Sequence, residues 1–496
     1  MSKQSIALNR FGYGMRHSET APSVLVRDPR RFLLNQLERY DPSPRLIADN
    51  IGKSGQGAQL IEMLRRGRQT RRSARRSAAM TMDDGAIAGT ASERDQLASA
   101  NLDTNAPEYV EARKRARRAY RSAVADRINV AVMSDTPFAE RLVHFWSNHF
   151  SVSVENLGSQ YEVAQHEFAA IRPHVLGKFP DLLKAAVLHP AMLIYLDQYR
   201  SIGPNSPFHY SRKRRGKRNE TLRQRGLNEN LAREILELHT LGVDGGYSQA
   251  DVTEFARALT GWTLEGLARF PGYSESHGQG TAFIDVTHEI GPRHILGRKY
   301  SPGGAEQALA ILDDLAAHPS TARFIATKFA RHFAGDAPPE PLVKRLEQDF
   351  VRTGGDLASL TETLIAAPEA WRPGPAKYRQ PHEWMISALR IAGVERLRDY
   401  RLFMSLNEIG QLPWRAPSPA GYDDFEASWA GPDALFRRVE LAERIAHNSP
   451  SERVVERAQQ AFPSALSDHT RLWLERAESG TQALALLLVS PEMMRR

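Results

Sequence analysis

The chain has 496 residues, 41% of them hydrophobic and none of them cysteine, so it can bury one large core or two or three smaller ones and has no disulfide framework, thiolate zinc site, sulfur-ligated iron–sulfur cluster or cysteine nucleophile. Its formal net charge of +8, from 66 Lys+Arg against 58 Asp+Glu, is unevenly spread: three tracts hold 22 of the basic and 2 of the acidic residues, which leaves a body of 44 basic against 56 acidic residues. Basic tracts on an acidic body call for other partners than a uniformly basic protein does.

The N-terminus, Met1 to Arg10, has no apolar stretch of the secretory kind, and no run in the chain approaches the roughly 20 apolar residues of a spanning helix. A cytoplasmic protein with no membrane partner is expected. The first basic tract, residues 65–76, carries seven Arg and no acid, and runs into Ser/Ala/Gly/Asp-rich sequence through Ala100. With few large apolar residues to bury, 65–105 reads as a loosely packed insertion in a single helical domain over 1–496. The second tract, 113–127, carries seven Lys/Arg and one acid, Asp126.

The stretch His144-Phe145-Trp146-Ser147-Asn148-His149-Phe150 looks like a two-histidine metal motif, but that motif needs a spacing of four and the spacing here is five. At about 100° per residue the two rings point roughly 140° apart. Phe138, Leu142, Phe145, Trp146 and His149 share one face, which drives His149 into an aromatic core, either as a satisfied core histidine or as a ligand or general acid/base. His144 falls opposite, toward the surface.

Residues 200–226 read as an irregular basic loop. They hold the third tract, where Arg212, Lys213, Arg214, Arg215, Lys217 and Arg218 form a solvated loop or an anion contact. No aromatic residues interleave, and no zinc finger, P-loop or Gly-rich dinucleotide loop accompanies the tract, so sequence-specific reading of nucleic acid is not expected. In the helix that follows, Leu231, Ile235 and Leu238 define a core face and Glu234 lies between Leu238 and Leu241. Asn230, Glu234 and Glu237 make a ridge at i, i+4 and i+7, while His239 lies on the other flank. A buried carboxylate must be paired, metal-bound or protonated.

Ser248-Gln249-Ala250-Asp251 is a capping box, followed by Val252, Phe255, Leu259 and Trp262 on one stripe. The connection 264–303 reads as long and irregular. Leu342, Leu346 and Phe350, then Leu357, Leu360 and Leu364 behind an Asp356 cap, then Leu435, Val439 and Ala442 repeat the helical period. No run of alternating strands appears, so an all-α fold is expected: a multi-helical body with long irregular loops.

The two polar helices, taken with Leu8-Asn9-Arg10-Phe11-Gly12-Tyr13-Gly14, His189-Pro190-Ala191-Met192-Leu193 to Asp197, and Gly245-Gly246-Tyr247 through Thr260-Gly261-Trp262, resemble a bacterial family of uncharacterised proteins, domain of unknown function 1800. His294-Ile295-Leu296-Gly297, Phe324-Ile325-Ala326 to His332-Phe333, and Pro417-Ser418-Pro419-Ala420-Gly421-Tyr422 to Trp429 extend the resemblance in order over nearly the whole chain. The resemblance implies no established activity. It implies a partner encoded nearby, from a second family resembling sulfatases and alkaline phosphatases. Many members of the family are exported, whereas this chain starts at its first motif. The family often carries a further histidine where this chain has Ser147, a departure that counts against a metal site on that segment.

Polar residues inside strongly apolar helices point to an enzyme, hydrolytic and metal-assisted, with Glu234, His149 and Asn230 catalytic and with Glu234, Glu237, His149 and His239 as ligands of a divalent metal. Two alternatives stay open: a non-catalytic helical binding partner of a neighbouring enzyme, and a nonspecific polyanion binder. On the enzyme reading, His149 and Glu234 meet within one water's reach, with Asn230 or Asn148 completing the cluster beside an open cavity. On the purely structural reading, Glu234 is closed by an arginine such as Arg141, and Glu237 pairs with Arg233.

Overall fold

The computed structural model describes residues 1–17, 19, 21–52, 54–63, 107–155, 158–214, 226–267, 274–374, 377–394, 396–397 and 399–496. Helix dominates it. The insertion expected over 65–105 lies outside the described residues.

Helix α1 (Lys3–Ile6) starts where the Ser2 hydroxyl accepts from Ser5 N at 3.2 Å, then widens into a π-turn over Ala7–Phe11. The long α2 (Pro107–Met133) ends against Arg390, whose Nη1 donates to the carbonyls of Ala131, Val132 and Ser134 and satisfies groups a helix end would otherwise leave bare. Helix α3 (Pro137–His149) has proline at its first position and no glycine, and runs through the centre of the molecule: every residue from Pro137 to Ser147 is buried, and so is His149. Phe138 packs edge-on to Phe11 and Phe333 at 5.5 and 5.8 Å. Full burial of each such ring is worth about 1.5–3 kcal/mol.

Two further helices widen at their ends. Helix α4 (Ser159–Gln165) passes into a π-turn over His166–Ile171, which packs against α3. Helix α5 (Asn230–Glu234) passes into a π-turn over Ile235–Thr240. Helix α6 (Gln249–Leu259) carries the expected capping box, with Ser248 and Asp251 bonded reciprocally. Beyond the sheets come α7 (Pro319–Ala334), α8 (Glu340–Thr353), α9 (Leu357–Ala366) and α10 (Pro381–Ala392). Asp356 caps α9 by accepting from Ser359 N at 2.9 Å.

The connection 264–303 departs from its expected irregularity. Strands β1 (Trp262–Leu264), β2 (Ser274–Ser276) and β3 (Thr281–Ile284) form an antiparallel sheet in the order β1-β3-β2, with Trp262 and Glu275 both opposite Phe283. Strands β4 (Arg293–Ile295) and β5 (Arg298–Tyr300) form a hairpin whose two turn residues, Leu296 and Gly297, both have positive φ, as a tight primed turn requires. Strands of three or four residues are too short to display alternation. Within 200–226, Pro207–Arg214 is helical, so the basic loop begins as a helix.

Cations are also buried. Arg10, Arg141, Arg172, Arg379, Arg390, Arg438 and Arg496 are among the largest fully buried side chains. Arg10 is held by the carbonyls of Ala370, Arg372 and Gly374, and Arg172 by a bidentate pair to Glu140 at 2.7 and 2.8 Å. Among the described residues no helix is long and apolar enough to cross a membrane.

Candidate functional site

Tyr13, Arg127 of α2, three further helices and one loop line a cavity of about 80 Å³. Helix α3 contributes His144 and His149. Helix α7 contributes Lys328, Arg331 and His332, at i, i+3 and i+4 on one face. The N-terminus of α10 contributes Gln380, His382 and Glu383, and the loop 411–424 contributes Gln411, Tyr422 and Asp424.

The backbone at each of these places follows from local sequence. Helix α10 begins with Pro381 behind a reciprocal cap between Gln380 and Glu383, which fixes His382 at the helix mouth. The loop is clamped by Asn148, whose Nδ2 donates to Tyr422 O and whose Oδ1 accepts from Tyr422 N, each at 2.8 Å. Gly421, at φ +86°, lies so close that a Cβ there would stand 2.4 Å from the Asn148 carbonyl oxygen. Asn148 therefore positions a loop, where the sequence offered it as a member of the His149 and Glu234 cluster.

Neighbouring groups decide which ring nitrogen carries the proton in three of the histidines. His149 Nε2 faces the His239 carbonyl at 3.1 Å and must donate, which leaves Nδ1 to accept from Lys328 Nζ at 3.1 Å. His332 Nδ1 lies 3.3 Å from both Asp424 carboxylate oxygens and donates to them, so its Nε2 carries the lone pair; that nitrogen is buried without a hydrogen-bond partner, 4.0 Å from Glu383. His382 Nδ1 donates to Gln411 Oε1 at 2.9 Å, and its Nε2 is the basic nitrogen. His144 Nδ1 lies 2.7 Å from the Tyr13 hydroxyl. Burial pushes all four imidazoles below the usual histidine range, His382 to about 4, so they are neutral at pH 7.

The carboxylates are closed by cations. Glu383 is paired to Arg141 and, at 3.0 Å, to Arg496; their charges outweigh its burial and hold it well below the usual carboxylate range. Asp424 meets Lys377 at 3.0 Å and His332, and is likewise lowered against its burial. Arg127 pairs with both oxygens of Glu167, and Ser147 donates to the same carboxylate at 2.6 Å. The last arginine of the second basic tract is thus internal. Two cations on the cavity wall differ from these. Among the described residues no carboxylate lies within 4 Å of Lys328 or Arg331. Arg331 stacks on Phe425 at 4.7 Å, and burial pushes the Lys328 amine down to about 8 against the opposing charge of Asp424, with the Arg331 charge adding a smaller lowering.

The residues expected on α5 are divided. His239 joins His149, with ring centroids 6.0 Å apart, and both its ring nitrogens are buried without partners. It lies on its expected flank, beside Ile235: the buried rows are 231/235/239 and 232/236/240, and it is Leu238 of the expected core face that is only partly buried, in the π-turn. Leu241 N bonds back to Leu236 O, five residues away. Asn230 is exposed. Glu234 is half-buried; burial first and the Glu237 charge second raise it against the Arg233 charge, and among the described residues no arginine caps it. Glu237 accepts from the Tyr247 hydroxyl at 3.3 Å, while Arg233 pairs with Glu229. The ligand set Glu234, Glu237, His149 and His239 is not assembled, and among the described residues no three His, Asp or Glu side chains converge to hold a metal ion. Arg141, offered as a partner for Glu234, serves Glu383. His144, expected at the surface, is buried because α3 is covered on all sides. The side chains of Arg212, Lys213 and Arg214, and all of Arg215, Lys217 and Arg218, lie outside the described residues.

A family model described as "Protein of unknown function (DUF1800)" matches residues 6–495. The chain belongs to this family. Neither a curated protein nor a solved structure matches it. Four of the family stretches meet at the cavity: Leu8 to Gly14 through Tyr13, the α3 segment, Phe324 to Phe333, and Pro417 to Trp429. In the sequence the last two carry no chemical signature, because their polar residues act only once brought together.

Proposed function

We propose that the chain is an enzyme that binds a small carboxylate-bearing molecule in this cavity and transfers protons through His332 and His382. The observation that carries the reading is the mismatch of contacts on the wall: every carboxylate there touches a cation, whereas among the described residues Lys328 and Arg331 touch no carboxylate, and Asp424 acts on Lys328 only from beyond 4 Å. An anion is the complement of that wall. His332 and His382 both line the cavity, and their Nδ1 partners fix the tautomers that leave Nε2 with the lone pair, as proton acceptors require. A volume of about 80 Å³, at about 10–15 Å³ per water-sized site, admits a ligand of roughly five to eight non-hydrogen atoms.

Two measurements on the full chain test this. Glyoxylate, pyruvate or acetate at about 100 times Kd should stabilise it by about 2.7 kcal/mol, read as a rise in Tm. The rise should vanish when Lys328→Met and Arg331→Gln are combined. In D2O, the methyl protons of pyruvate should exchange at least about tenfold faster than in buffer, and this should be lost in His332→Gln with His382→Gln while the Tm rise persists. No Tm rise with any carboxylate, or one indifferent to Lys328 and Arg331, would overturn the reading.

A further inference from the structure

Lys328, half-buried at the cavity wall, differs from the buried cations around it. Arg10, Arg379, Arg390 and Arg438 are held by carbonyls or other fixed acceptors, and Arg127, Arg141, Arg172 and Arg496 by carboxylates. Lys328 has one hydrogen-bond partner among the described residues, the imidazole Nδ1 of His149 at 3.1 Å. A lysine kept for charge alone gains most from an anionic partner; one facing a neutral base is placed to give up a proton. The His149 tautomer cannot reverse this arrangement, because its Nε2–H is engaged by the His239 carbonyl. One turn on, Arg331 lines the same cavity, where a planar guanidinium can grip a carboxylate.

We propose that Lys328 is the nucleophile of this site and forms an imine with the carbonyl carbon of a small 2-oxo acid whose carboxylate is held by Arg331. The inference rests on the carboxylate-binding reading above and adds covalent chemistry to it. His149 Nδ1 takes one proton from the Lys328 ammonium. The amine lone pair then attacks the carbonyl carbon, and the carbonyl π pair moves to oxygen, which takes a second proton from the attacking nitrogen. The resulting hydroxyl leaves as water with the proton returned by His149. The ammonium and the oxo acid thereby become a protonated imine and one water, with no oxidant or reductant consumed. The depressed basicity of the Lys328 amine supports the same assignment.

Trapping tests it directly. The full chain is incubated with pyruvate or glyoxylate, reduced with borohydride, digested and mapped by mass. The expected result is a secondary-amine adduct on Lys328, at least tenfold above that on any other lysine, absent in Lys328→Arg and competed by acetate. His149→Gln should slow its formation by at least tenfold without abolishing the Tm rise with acetate, which a purely structural role of His149 would not predict. Absence of an adduct on Lys328 while carboxylates still raise Tm through Lys328 and Arg331 would overturn the imine and leave the binding reading standing. Labelling spread evenly over the lysines would also overturn it. Loss of both adduct and Tm rise would overturn both.

Discussion

Helices α3 and α5 each place polar residues beside leucines and aromatics, yet they do so in different ways. On α3 the polar groups are deep: His144 and His149 are 5% and 2% exposed, and each has a partner on another element. On α5 the Asn230, Glu234 and Glu237 ridge stays at the margin, with bonds that are few and local. A polar residue on an apolar helix marks a site only when the helix is covered on the side that residue faces.

The largest expected difference between the two regions is their response to acid. Burial lowers seven histidines in and around α3, namely His144, His149, His166, His189, His239, His332 and His382, with His166 and His382 near 4 and His239 near 3. Each is neutral in the fold and takes up a proton on unfolding once the pH falls below its unfolded pKa of about 6.5. The unfolded state then binds more protons, so stability falls as pH falls; the loss begins near 6.5 and runs to about 4 for His166 and His382. Each group contributes about 1.4 kcal/mol per pH unit within its window. Seven together approach the whole stability of a typical domain within one unit. Urea unfolding followed by circular dichroism should show cooperative loss of structure above pH 5, and equal stability at pH 7 and pH 5 would remove the contrast.

Next in size is Glu383→Gln. It removes the charge that Arg141 and Arg496 share and leaves two buried guanidinium groups without their carboxylate. Breaking a buried pair from one side costs about 3–5 kcal/mol. The urea midpoint at pH 7 should fall accordingly, with secondary structure retained below the transition. A loss below about 1 kcal/mol would mean that the cavity wall is not held as described.

Much of the fold was legible because it rests on local rules. The Ser248 and Asp251 cap, the Asp356 cap and the stripes of α6, α8 and α9 each need one helix face and one neighbour. In α11 (Pro432–His447) the buried face is instead Arg438, Leu441, Ala442, Ile445 and Ala446, so Leu435 of the expected stripe is 44% exposed. The site was legible in part. His149 was placed correctly in its aromatic surroundings, but His144 was not, since a wheel presumes a wet side that α3 lacks. His239 was placed on the right flank, beside Ile235, whereas Leu238 of the expected core face is only partly buried, because a π-turn has no signature in the apolar spacing. Lys328, Arg331 and His332 on one helix, His382 and Glu383 on another, and Asp424 on a loop come from segments 41 residues or more apart along the chain, and nothing local announces their meeting.

The smallest effect is expected at Glu234, the carboxylate the sequence placed first. Its pKa is raised, by burial before the charge of Glu237. A folded pKa above the unfolded one means that the charged form is disfavoured by folding, so any stability the group contributes belongs to low pH and is lost as pH rises through its folded pKa. At pH 7 the ionised Glu234 is therefore a slight burden, and solvent at this half-buried position screens it. Glu234→Gln removes that burden and the repulsion from Glu237, leaving Arg233 its pair with Glu229. Stability at pH 7 should change by less than about 0.5 kcal/mol, toward stabilisation, and the Tm rise with pyruvate should be unchanged. A destabilisation approaching that of Glu383→Gln, or loss of the pyruvate effect, would return the ridge of α5 to the centre of the molecule's chemistry.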